Sequence, residues 1–169
     1  INVGNKRNRF MSKLNHASIN DYRKVVQMVK RCLSLLKNSD YEMNITTKDI
    51  HQAIEKLSVV NTPKGRSCAG TFGIIINVGS WWGKQGHFPE YASFAKDPVI
   101  GSLRSVSPDL ALLALVAHEV AHYVQFRIAP NAPRAKVRFS DYRKPHGNTF
   151  KHIYRHLRRD LVNKELLNV

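Results

Sequence analysis

Residues 107–126 read SPDLALLALVAHEVAHYVQF, and at their centre stands His118-Glu119-Val120-Ala121-His122. Ser107 offers a capping hydroxyl, Pro108 suits a first helical turn, and Asp109 complements the positive end of a helix dipole. Apolar side chains then go all the way round the wheel: Leu110, Leu112, Leu113, Leu115, Val116, Val120 and Val124. A buried central helix is expected, running to about residue 128, where Ala129-Pro130-Asn131-Ala132-Pro133 stops it. Residues four apart on a helix share a face, one turn apart. His118 and His122 can therefore grip one Zn²⁺, and Glu119 between them can take a proton from a water beside it.

A zinc site that does chemistry takes three protein ligands and leaves one position open. The pattern that continues H-E-x-x-H with Gly and a third His on the same segment would need them at 125 and 128; Gln125 and Ile128 stand there instead. Downstream, the carboxylates are Asp141, Asp160 and Glu165, and the histidines are His146, His152 and His156. At about 100° per residue, His146 shares a face with Phe150, Ile153, Leu157 and Leu161, the apolar stripe of a last helix running from about 146 to 163. His152 and His156 project elsewhere and read as surface residues, as do His51 and His87. His146 is the third ligand that this geometry selects.

The rest of the chain is expected to build around that helix. Val25, Val29, Cys32, Leu33 and Leu36 make one amphipathic helix over residues 20–37; Ile50, Ala53, Ile54 and Leu57 make a second, capped by Thr46 or Thr47. Val59-Val60, residues 67–78 (SCAGTFGIIINV) and residues 99–106 read as strands, with turn chemistry over 61–65. Residues 79–98 read as loop, and Trp81 and Trp82, if extended, would point to opposite sides.

The chain has 169 residues, one domain's worth, with a basic arm over residues 1–19 and the domain proper over 20–169. It carries 27 Lys+Arg against 12 Asp+Glu, a formal +15, which favours DNA or another polyanion as partner. Lys151, Arg155, Arg158 and Arg159 fall within about a third of the last helix's circumference and are candidate phosphate contacts. Arg134, Lys136, Arg138, Arg143 and Lys144 precede them. No apolar run is long enough for a membrane span. Two cysteines, Cys32 and Cys68, are too few for a disulfide framework, which points to a reducing, intracellular setting, cytoplasmic or nucleoid-associated.

HEVAH followed by PHGNTFK resembles the SprT-like zinc metalloproteases, the family that includes the DNA–protein crosslink protease Spartan. The matching positions are His118, Glu119, His122, His146, Gly147 and Phe150, and residues 67–71 look like that family's Ala-Gly strand. The resemblance spans roughly residues 20–160, lacks the Cys-rich zinc ribbon of many relatives, and makes residues 79–98 look like an insertion that replaces part of a substrate groove. It implies an α+β, zincin-like fold: a central H-E-x-x-H helix, a small antiparallel or mixed sheet, N-terminal helices and a C-terminal helix bearing the third ligand. It implies one Zn²⁺ per chain, Glu119 as general base, and hydrolysis of DNA-associated protein. A second electrophile is then expected, with Tyr142, Arg143 and Tyr123 as candidates. The competing expectation is a non-enzymatic, basic nucleic-acid-binding or structural protein whose zinc serves folding alone.

Overall fold

The computed structural model describes residues 17–38, 43–131 and 143–168. Most of the expected basic arm, together with Arg134, Lys136, Arg138, Asp141 and Tyr142, lies outside the described residues.

Helix α1 (Ile19–Asn38) buries Val25, Val29, Cys32, Leu33 and Leu36, the stripe its spacing predicts. Helix α2 (Thr47–Glu55) starts at a capping box: the Thr46 hydroxyl accepts from the Asp49 amide at 3.1 Å, and the Asp49 carboxylate accepts from the Thr46 amide at 2.8 Å. Three strands follow, β1 (Leu57–Val60), β2 (Cys68–Gly70) and β3 (Gly73–Asn77). They form a mixed sheet in the order β1-β3-β2, with β1 parallel to β3 and β2 antiparallel to it.

Residues 67–78 are thus a hairpin and not the single strand their β-branched content suggests. Thr71-Phe72 is the turn, and Gly73 follows at φ +131°, where a Cβ would lie 2.4 Å from the Lys56 carbonyl. Residues 99–106 are also not a strand. Only Leu103 pairs, in an isolated antiparallel bridge with Phe88, because the segment closes a ribbon rather than joining the sheet. Gly86 stands at the base of that ribbon at φ +65°, and its carbonyl accepts from the Val106 amide at 3.0 Å. Two short helices, α3 (Trp81–Lys84) and α4 (Ala92–Ala95), occupy the region expected as loop, so the two tryptophans are helical and not extended.

Helix α5 (Pro108–Tyr123) is the central element. Ser107 accepts from the Leu110 amide at 3.1 Å, as the sequence led one to expect, and nearly every later residue of the helix is buried. It packs against α1, against β2 and β3, and against α6 (Asn148–Leu157). A wider π-helical turn (Val124–Ile128) and a 3₁₀ turn (Ala129–Asn131) extend it. Helix α6 likewise continues through a π turn (Arg158–Val162) into α7 (Asn163–Leu167). Phe150, Ile153, Leu157 and Leu161 are buried, the stripe predicted to face inward. No described helix is long and apolar enough to cross a membrane.

Arg158 corrects the phosphate stripe. Its side chain is 1% exposed and so is that of Glu90, which accepts from Arg158 Nη1 at 2.9 Å. The Tyr154 hydroxyl donates to the same carboxylate, and Arg158 Nη2 donates to the Gly101 carbonyl at 3.1 Å. Lys151 and Arg155 approach Asp97 at 3.4 and 3.5 Å, and Arg159 pairs with Asp160 at 2.8 Å. The stripe therefore fastens the ribbon over residues 86–106 to α6, as well as facing solvent. Removing one partner of a buried pair strands the other charge at a cost of about 3–5 kcal/mol. Arg158→Met is expected to lose about that much in urea unfolding, and the Arg158→Met/Glu90→Gln double variant is expected to recover a large part of it. A single variant as stable as wild type would remove this role.

Candidate metal centre and adjoining cleft

His118 and His122 leave the buried face of α5 one turn apart, and His146 reaches them from the turn before α6, whose N-cap is Gly147. His146 is itself exposed, yet its Nε2 lies 3.1 Å from His122 Nε2 and 3.3 Å from His118 Nε2. These three are the one group of metal-capable side chains among the described residues. The other histidines among the described residues, His51, His87, His152 and His156, do not join it. His156 instead pairs with Asp160 at 3.1 Å.

The donor set fits zinc. Two nitrogens bound at ~2.0–2.1 Å with a tetrahedral angle between them sit about 3.3–3.4 Å apart, close to the two separations seen. Burial, reinforced by the neighbouring imidazoles, holds His118 well below the ordinary histidine range, and burial pushes His122 down to about 4. Both rings are therefore neutral at neutral pH and keep a lone pair for a cation.

The tautomer of His122 is set by a residue that figures in the sequence only as a departure from another motif. Gln125, fully buried, donates its amide N–H to the Lys144 carbonyl, which turns its oxygen toward His122 Nδ1 at 3.2 Å. Nδ1 then carries the proton and Nε2 the lone pair. The same bond ties α5 to the turn carrying His146. His118 Nδ1 is buried without a hydrogen-bond partner among the described residues. Packing holds that ring instead, against Phe150 at 4.9 Å and Tyr154 at 5.2 Å between centroids. Phe150 also stacks on His122 at 4.2 Å, so its place in the motif is structural.

Glu119 is 6% exposed, and burial pushes its carboxyl up to about 8. A cation at the histidines would reverse that shift by favouring the carboxylate. A cleft of about 420 Å³ opens on Glu119 and His118, walled by residues 65–67 on one side and by Phe88, Pro89, Glu90 and Tyr91 on the other.

Of the residues expected to assist, Tyr123 is buried at 1% exposure, its hydroxyl engaged by Arg127, and so is not presented to a ligand. Arg143 is exposed and lines a different cleft, with Phe72 and Phe126. Tyr142 lies outside the described residues. Among the described residues the exposed phenol that lines the cleft is Tyr91, 57% exposed, its ring 4.5 Å from that of His146 and 6.1 Å from that of His118. Nothing local in the sequence marks it. Its position comes from Glu90, anchored to Arg158 68 residues away. No family model matches the chain, and no match was found among curated proteins or solved structures.

Proposed function

We propose that this chain is a zinc metallopeptidase of the SprT-like, zincin kind, using His118, His122 and His146 as ligands and Glu119 as general base. The observation that carries the reading is the buried Glu119 carboxyl beside three converging imidazole nitrogens, at the floor of an open cleft. A zinc held only for folding is closed by four protein ligands. Among the described residues the group has three, one of them exposed, and a cleft adjoins it.

Bound Zn²⁺ would supply Lewis acidity, polarising water and the scissile carbonyl. Glu119 takes a proton from the attacking water and delivers it to the amine as the C–N bond breaks. Tyr91, rather than Tyr123, is placed to donate a hydrogen bond to the carbonyl oxygen as charge develops there. Gln125 keeps His122 in the ligating tautomer. Action on DNA-associated proteins is part of the proposal and rests on the formal +15 and the resemblance, since Lys151, Arg155 and Arg159 are partly neutralised by Asp97 and Asp160 and Arg158 is buried.

The experiment is hydrolysis of an unfolded protein by the zinc-loaded chain beside its Glu119→Gln variant, with and without DNA. Cleavage by wild type alone supports the proposal; cleavage by neither, or by both equally, ends it.

A further inference from the structure

Residues 65–67 and 69–72 line two clefts, each with one arginine, the first more polar and the second dominated by two phenylalanines. Before β2, Gly65, Arg66 and Ser67 face the cleft that holds His118 and Glu119. From β2 onward, Ala69, Gly70, Thr71 and Phe72 line a second cleft, of about 410 Å³, with Phe126 and Arg143. Phe126 stacks on the His122 ring at 5.8 Å, with an interplanar angle of 7°, so this second cleft also adjoins the metal centre. β2 itself passes close to Glu119: after burial, the Glu119 charge is what pushes the Cys68 thiol up.

The first wall is a built feature. Asn77, 1% exposed, accepts from the Thr62 amide at 3.1 Å and donates to the Thr62 carbonyl at 2.9 Å and to the Gly65 carbonyl. Its own amide donates to Ser67 Oγ at 2.9 Å. The loop carrying Arg66 is thereby fixed. Among the described residues Arg66 is the one Lys or Arg lining its cleft, and of the two carboxylates there, Glu90 and Glu119, Glu90 is already bound to Arg158. The second wall presents apolar surface: Phe72 is 59% exposed at the hairpin tip. Phe72 and Phe126 together give this cleft the apolar, aromatic lining usual in ligand pockets.

We propose that the site selects an extended polypeptide with an acidic side chain against Arg66 and a large apolar side chain between Phe72 and Phe126, one on each side of the scissile bond. This rests on the peptidase reading and adds a substrate class to it. Arg66 and Gly70, which line the two clefts, are four residues apart across the start of β2, at most about 13 Å at ~3.3 Å per residue. The two selected side chains are therefore about four residues apart in the ligand, an even spacing that puts both on one face.

The test uses fluorescein-labelled octapeptides bearing Glu and Phe four residues apart, in either order, with Lys-for-Glu and Ser-for-Phe controls. Binding is read by anisotropy on the zinc-loaded Glu119→Gln protein, where no turnover intervenes. The Glu/Phe peptide is expected to bind at least about tenfold tighter than either control. Arg66→Glu is expected to reverse the charge preference and keep the Phe preference; Phe72→Ser is expected to erase the latter alone. Equal binding of Glu and Lys peptides, or a charge preference that survives Arg66→Glu, overturns the proposal. So does an oligothymidylate that displaces the Glu/Phe peptide from the parent protein but not from Arg66→Glu, which would give Arg66 to a nucleic-acid backbone. Cleavage by wild type without these preferences sinks the subsites and leaves the peptidase reading standing; the preferences without cleavage do the reverse.

Discussion

Glu119→Gln is expected to lower kcat/KM for a protein substrate by about 10²–10⁴-fold, the usual worth of a general base, while zinc content and the urea midpoint stay at wild-type values. Each half of that expectation has a structural cause. Glu119 follows His118 directly on α5 and lines the cleft, so its carboxyl is positioned for a proton in transit. Gln keeps the shape and hydrogen-bonding reach of the side chain but cannot accept that proton. The carboxyl is not one of the three converging donors, so removing its charge leaves the ligand set whole. Burial already holds it near 8 without a cation, so a neutral amide does not disturb the surrounding packing. A variant that lost zinc or unfolded would show Glu119 to be structural.

His146→Ala is expected to weaken zinc binding by at least about a hundredfold without unfolding the chain. Structural zinc sites at neutral pH are worth roughly 10–16 kcal/mol over four ligands, so one ligand carries about 3 kcal/mol or more. The fold should tolerate the loss because His146 is exposed and precedes α6, whose core contacts come from Phe150, Ile153, Tyr154 and Leu157. His118 and His122 remain, held by Phe150 and Gln125, but two imidazoles hold a metal weakly. Competition with a chromophoric chelator gives the affinity, and far-ultraviolet circular dichroism gives the fold. Unchanged affinity would mean that another side chain completes the site.

The local parts of this structure were legible in the sequence. Ser107 caps the helix it was expected to cap, and of Thr46 and Thr47 it is Thr46 that caps the second. The stripe through Phe150, Ile153, Leu157 and Leu161 does face inward, but His146, expected on that helix and pointing the same way, stands exposed in the turn before it and meets His118 and His122 from there. What depends on distant partners was not legible. Tyr91 meets His146 only because Glu90 finds Arg158, and Gln125 matters only because the Lys144 carbonyl arrives beside it.

Some misses did leave a trace. Arg158 lies four residues after Tyr154, nearer the apolar stripe than Lys151, Arg155 or Arg159, and a salt-bridged core position fits that angle. Gly70 and Gly73 flank Thr71-Phe72 as a turn would, inside a run otherwise rich in isoleucine.

The proposed chemistry depends on a single zinc held by three histidines with a position left open. Metal analysis with zinc K-edge absorption on the zinc-loaded wild-type chain tests it most directly. One equivalent of zinc is expected, with three imidazole nitrogens at about 2.0–2.1 Å and one further light-atom ligand. Substoichiometric zinc, two imidazoles or fewer, or a shell closed by a fourth protein side chain would contradict it.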